Sequence, residues 1–197
     1  PDGIVSIASD LAVPTVNYVA DQMGLVGNSI WSSLVSTNKY EMRRSLSASG
    51  LPCPDFTVVN ASNLGQLDPG KLKFSVIVKP TDRSGSRGVT KVDKEQDLSD
   101  ALARAMGCSL SGEAIIEEFV YGKEVSVESI SFEGKHYMLA ITDKITTGAP
   151  NFVELGHSQP SVFSKSCGLT IKELVQKALD VLEIKNGASH AELIITE

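Results

Sequence analysis

The residues best suited to chemistry lie between an apolar run and a short strand: Val76-Ile-Val-Lys-Pro-Thr-Asp-Arg-Ser-Gly-Ser-Arg-Gly-Val89. Ser84, Gly85, Ser86 and Gly88 carry little or no side-chain bulk, so backbone N–H groups there can close around a phosphate. Lys79 and Arg87 add positive charge. Pro80 biases Lys79 toward extended backbone, and the pleat then aims its side chain to the face of Ser75 and Ile77. The same composition suits a solvated basic turn, so this stretch alone leaves both readings open.

Two further positions have chemistry out of keeping with their local structure. Lys39 falls in the first turn of a helix opened by Asn38, where a cation opposes the helix dipole by some tenths of a kcal/mol. An anion nearby would reconcile it; a solvated surface lysine is the alternative. Glu192 falls in Ser189-His-Ala-Glu-Leu-Ile-Ile-Thr196, where alternation puts His190 and Glu192 on one side and Ala191, Leu193 and Ile195 on the other. A carboxylate near the end of a buried strand requires a partner, either a divalent cation or a lysine or arginine.

Composition limits what these residues can serve. With 42% hydrophobic and 21% charged residues the chain is an ordinary globular sequence, without an apolar run long enough to cross a membrane. A net charge of −6 disfavours a broad polyanion surface, so the lysines and arginines read as a local site for a small anion, and nucleic acid is not expected as a partner. Cys53, Cys108 and Cys167 lack metal-ligand spacing and leave one thiol unpaired, which suits a reducing cytoplasm. His136, His157 and His190 are too dispersed for a zinc site. The loop matches neither a Walker A sequence nor a dinucleotide fingerprint. The chain begins without methionine and stops inside a strand-like run, and is read as a piece of a longer protein.

The elements that would position these groups follow from periodicity. Residues 2–9 read as a buried strand, followed by a helix with Pro14 in its first turn and Gly24 past its end. A helix runs from about Asn38 to Ser49 behind an Asn38/Glu41 capping box. Strands are expected at 56–59, 76–80 and after the glycine loop. A helix capped by Asp93 and Gln96 follows, carrying Leu98, Ala101, Leu102 and Ala105 on one face. Residues 114–120 and 124–132 read as strands of one hairpin turning at 121–123, and Glu133-Gly134 turns the chain back into 135–142. Residues 143–166 read as a long functional loop, and Thr170 and Glu173 cap a helix with an apolar face of Ile171, Leu174, Val175, Ala178, Leu179 and Leu182.

A lysine opening a helix, a second ending a strand before a Ser/Gly loop, Ile-Ile-Glu-Glu-Phe-Val followed by Gly-Lys-Glu, and a final His-Ala-Glu strand together resemble the ATP-grasp superfamily over about residues 30–197. The likeness is to carboxylate–amine ligases, biotin carboxylases and carbamoyl-phosphate synthetase large subunits. It implies an α+β fold of two subdomains clasping ATP: the tail of a Rossmann-like domain over 1–35, a helix and lid subdomain over 36–119, and a core subdomain over 120–197.

The resemblance also implies roles. Lys39 and Lys79 would contact ATP phosphates, with Lys79 also near the adenine, and Ser84, Gly85, Ser86, Arg87 and Gly88 would form the lid loop. Glu117, Glu118 and Val120 match the strand that meets the adenine edge, Glu124 would take the ribose hydroxyls, and Glu192 would ligate Mg²⁺ (or Mn²⁺). Arg87, Lys144 and His157 are candidates for orienting the acceptor or the transferred phosphoryl group. The implied reaction is ADP-forming C–N ligation: a small-molecule carboxylate becomes an acyl phosphate and an amine displaces phosphate. Bicarbonate activation, or a non-catalytic ATP-binding module, is the alternative, and a homo-oligomer is left open. Family members carry a second metal-binding glutamate, an asparagine and an arginine after the position of Glu192. The sequence stops before them, Glu197 is no evident substitute, and this stretch alone is expected to be inactive.

Overall fold

A computed structural model of the chain describes residues 1–7 and 9–196. Three helices come first: α1 (Val13–Gln22), α2 (Ile30–Thr37) and α3 (Lys39–Ala48). Pro14 lies in the first turn of α1, where its missing N–H costs nothing. The Ser29 hydroxyl accepts from Ser32 N–H to start α2, and the Asn38 side chain accepts from Tyr40 and Glu41 N–H to start α3. Glu41 does not complete a capping box: Asn38 N–H donates to Leu34 O as α2 closes, and Glu41 pairs with Arg44 at 2.6 Å instead.

Among the described residues, eight strands form two antiparallel four-stranded sheets. Strands β1 (Phe56–Val59), β2 (Val76–Pro80) and β3 (Thr90–Val92) precede α4 (Leu98–Cys108), and β4 (Ala114–Glu118) completes the first sheet in the order β1-β4-β2-β3. Val76, Val78, Val92 and Ile116 face Leu98, Ala101, Leu102 and Ala105 of α4 in one core. Strands β5 (Lys123–Phe132), β6 (Lys135–Thr146) and β7 (Glu154–Ser158), the helix α5 (Gly168–Val181) and β8 (Gly187–Ile195) build the second unit, with sheet order β7-β6-β5-β8. Its core joins Val125, Val127 and Ile141 to Ile171, Val175 and Leu179. A third cluster of Val35, Leu46 and Leu182 ties α2 and α3 to the end of α5. No described helix is long and apolar enough to cross a membrane.

The fold corrects several expectations. No strand forms among the described residues of 2–9, where Val5 and Ile7 stand exposed and no neighbouring strand takes up their backbone groups. Helix α2 was not foreseen, because Ile-Trp-Ser-Ser-Leu-Val-Ser-Thr has too many serines to show a clean apolar stripe. Asp93 accepts from Ser75 Oγ and pairs with Lys91 rather than capping α4, which starts through a 3₁₀ turn at Glu95–Asp97. Thr170 lies inside α5, two residues past its first. The largest correction is that β4 and β5 are not a hairpin: β4 pairs with β1 and β2, whereas β5 pairs with β6 and β8. Residues 119–122 therefore pass from one sheet to the other. Residues 143–166 are not all loop either, since β6 extends to Thr146 and β7 pairs with it. Glu197 lies outside the described residues.

Candidate functional site

Alternation along β2 buries Val76, Val78 and Pro80 against α4 and turns Ile77 and Lys79 to the opposite face. Antiparallel register places Glu117 beside Ile77. The Glu117 carboxylate, 4% exposed, is held between Lys79 Nζ at 2.6 Å and Arg43 Nε at 2.8 Å. Burial pushes its pKa up, but the charges of Lys79 and Arg43 outweigh that and hold it below the usual carboxylate range. Arg43 had no role in the sequence reading. The signal available was its spacing four residues after Lys39, which puts both on one face of α3.

Lys39 anchors the start of α3 to the loop after β2: its N–H donates to Thr81 O at 2.8 Å and its Nζ to Arg83 O. Burial and the like charge of Lys79 push the Lys39 pKa down. The two lysine charges thus lie close enough to repel, and of the two only Lys79 has a carboxylate in contact among the described residues.

The loop beyond them exposes Ser84, Gly85, Ser86 and Arg87. Gly85 and Ser86 have φ of 67° and 54°. Gly88 has φ of 72° and packs so closely that a Cβ would sit 3.0 Å from both Cys108 Cβ and Pro80 Cγ. Ser86 Oγ donates to Phe152 O at 3.0 Å, joining this loop to the β6–β7 connection.

The backbone donors out of β4 are taken up in part. Glu118 N–H donates to Asp55 O and Phe119 N–H to Ser75 O. Among the described residues none accepts from Val120 N–H.

The second sheet gathers the other predicted residues. Register sets Glu192 opposite Ser126, His190 opposite Glu128 and Lys144 opposite His157. Lys144, its side chain 6% exposed, pairs with Glu124 at 2.9 Å, with Glu192 more closely, and with Glu154 at 3.8 Å. Burial lowers its affinity for a proton, but Glu192 and Glu124 overcome this and hold it firmly charged. His190 lies 3.0 Å from Glu128 and 3.5 Å from Glu192. The contact from His190, opposed by burial and reinforced by Lys144, brings the Glu192 pKa down to about 2. Glu192, against the effect of burial and together with Glu128, raises the His190 pKa to about 9. His157 pairs with Glu154, a residue that sequence reasoning passed over.

Predicted residues therefore fall into two constellations, Lys79 and Glu117 on the first sheet with Lys39 at the start of α3 beside them, and Lys144, Glu124, Glu192 and His157 on the second. Arg87 makes no ion pair among the described residues. Glu192 has a lysine partner in Lys144, and no three described His, Cys, Asp or Glu side chains gather as cation ligands. A shallow groove of about 640 Å³ lined by Leu64, Leu67, Pro69, Leu98 and Leu102 among others contains none of these groups.

Comparison with known proteins identifies the family. The model of an ATP-grasp domain matches residues 72–197. A D-alanine--D-alanine ligase of Polaromonas sp. is 30% identical over 92% of this chain and 56% of its own length. An alanine--anticapsin ligase of Bacillus subtilis is 22% identical over 96% of the chain and 44% of its length. The crystal structure of an L-amino acid ligase from Bacillus licheniformis superimposes with a TM-score of 0.85 and 26% identity, covering 98% of this chain and 45% of that one. The chain thus spans about half the length of the relatives it matches. Because the domain match runs through the lysine-bearing sheet and the Glu192 strand alike, the chain belongs to the ATP-grasp family.

Proposed function

We propose that this chain is the nucleotide-binding part of an ATP-dependent ligase that joins a small carboxylate to an amine, with release of ADP. The observation that carries the reading is the convergence of Lys39 and Lys79, a half-buried like-charged pair in which Lys39 loses affinity for its proton. An anion between them relieves both the repulsion and the unfavourable helix-end charge. ATP phosphates fit that requirement. Relatives named as amino-acid ligases supply the substrate class.

In this reading Lys39 and Lys79 bind phosphates, and Glu117 with Arg43 keeps Lys79 aimed. Ser84, Gly85, Ser86, Arg87 and Gly88 cover the phosphates, with Arg87 as the mobile charge. Glu118 and Val120 receive the adenine edge through backbone groups, and Glu124 receives the ribose hydroxyls once ATP competes with Lys144 for it. Glu192, which shares Lys144 with Glu124 and Glu154 in place of an all-protein cage, fits Mg²⁺, which takes one or two carboxylates together with substrate phosphates. Bound there, the ion would neutralise charge on the transferring phosphoryl group. Lys144 and His157, adjacent across β6 and β7, orient the acceptor carboxylate and the transferred group. The carboxylate attacks the γ-phosphorus, ADP leaves, and the amine displaces phosphate from the acyl phosphate. Positioning and charge neutralisation supply most of the catalysis. We place the subdomain boundary at 119/120 and the end of the preceding domain at 35.

The test is ADP release by the full-length protein with amino acids, small acids and bicarbonate. Amino-acid-dependent release that falls about 100-fold or more in Lys79→Ala supports the reading. Release stimulated by bicarbonate alone would replace it with carbonate activation.

A further inference from the structure

The link between the sheets is held at both ends. On the lid side, Lys91 lies beside Ile77 across β2 and β3, its side chain 16% exposed and its Nζ 2.6 Å from Asp93. Asp93 in turn accepts from Ser75 Oγ at 2.5 Å. Lys91 Nζ sits 4.7 Å from the centre of the Phe119 ring and 5.9 Å from that of Tyr121. The two rings meet edge to face, with centroids 4.8 Å apart and planes at 86°. On the core side, Gly122 runs so close to β8 that a Cβ would lie 2.3 Å from Ile195 O and 2.5 Å from Ile194 Cγ2. Val120, whose N–H no described residue takes up, lies between these two anchors.

We infer that Lys91 is a positioning residue of the nucleotide site: clamped by Asp93 and seated on Phe119 and Tyr121, it fixes the 119–122 link so that the backbone of Glu118 and Val120 is presented to a purine edge. The inference rests on the nucleotide reading above. Three features make the clamp specific. Lys91 is a cation on the same sheet face as Ile77 and Lys79, the face turned away from α4. Its two aromatic partners are the residues flanking Val120, so any shift of the cation is felt at that amide. Gly122 cannot drift, because its Cα rests against the β8 backbone, and rotation of the link is therefore taken up at the Lys91 end.

The test uses Lys91→Ala, which removes the cation, and Lys91→Arg, which keeps a cation able to stack on both rings. Two quantities are read in the full-length protein: amide hydrogen exchange across 118–123 without nucleotide, and KM and kcat for ATP in amino-acid-dependent ADP release. In Lys91→Ala we expect exchange and KM for ATP each to rise roughly two- to fivefold, the range of an exposed cation–π contact. The kcat value should stay within about twofold, since no group touching the reacting atoms is lost. Lys91→Arg should restore both quantities. Exchange at the parent level in Lys91→Ala overturns the inference; if KM rises nonetheless, Lys91 touches the nucleotide directly. A parent protein that binds no ATP overturns the nucleotide reading instead, and faster exchange in the variant would then mark a hinge clamp alone.

Discussion

Glu117 illustrates how one residue can carry both stability and function. Its carboxylate compensates two cations, so removing it strands Lys79 and Arg43 in a partly buried site. Glu117→Gln keeps the shape and is expected to cost about 2–3 kcal/mol at neutral pH, below the figure for a fully buried pair because both cations retain some solvent. The acid limb of the stability curve should change too. Because the folded-state pKa of Glu117 lies below its usual range, the stabilisation it gives is complete above ordinary carboxylate pKa values and is lost as pH falls through the depressed one. Denaturant titrations from about pH 6 to about pH 2 should therefore converge for the parent and Glu117→Gln at the acid end; a constant gap would refute the assignment. The aim of Lys79 was legible beforehand, because alternation and a following proline are local. Its partners were not. Arg43 and Glu117 are separated by 74 residues, and only the fold brings them together.

Elements differ in how much of their role is local. The start of α3 was read from Asn38, and the apolar face of α5 from its 3.6 period, since both depend on neighbours within a few residues. Strand pairing does not: Ala114–Glu118 and Lys123–Phe132 look like a hairpin because they are adjacent and amphipathic, yet each has better partners elsewhere. Strand β7 was hidden for a similar reason, as Glu-Leu-Gly-His-Ser is strand-like only when hydrogen-bonded to β6. The lid loop shows the same division. Gly85 and Gly88 both adopt positive φ, but Gly85 faces open space and Gly88 touches Pro80 and Cys108. Gly85→Ala should lose about 1 kcal/mol from backbone strain alone. Gly88→Ala adds a steric push on the Pro80 end of β2 and should lose about 2–3 kcal/mol. Because that push is transmitted to Lys79, Gly88→Ala should also weaken ATP binding more than Gly85→Ala does. Calorimetric titration of the two variants compares them directly, and equal losses would show that the loop does not pack on the strand it covers.

At the scale of the whole molecule, each sheet packs against its own helix, and the two main cores share no buried residue. The described contacts that join them include the 119–122 link, the Ser86–Phe152 hydrogen bond, the cluster of Val35, Leu46 and Leu182 that seats α2 and α3 on the end of α5, and the hydrogen bonds of Asn28 to Lys185 and Asn186, while Arg43–Glu117 holds α3 to the first sheet. Leu182 is 7% exposed, and Met42, Leu51 and Ile184 pack around that cluster. Leu182→Ala should cost about 2–4 kcal/mol, the range for opening a cavity at a buried leucine. The more informative effect is on cooperativity. Val78→Ala opens a void inside the first core and should lower a single transition, whereas Leu182→Ala loosens the joint and should split thermal unfolding into two resolved steps. ATP restores coupling if it bridges the lysines of one sheet and the acidic strand of the other, because a ligand that binds only the joined state stabilises it by about 2.7 kcal/mol at one hundred times Kd. Differential scanning calorimetry of Leu182→Ala should then show two transitions that merge on adding ATP and Mg²⁺. Two transitions that rise separately, or only one that responds, would mean that the nucleotide sits on a single sheet.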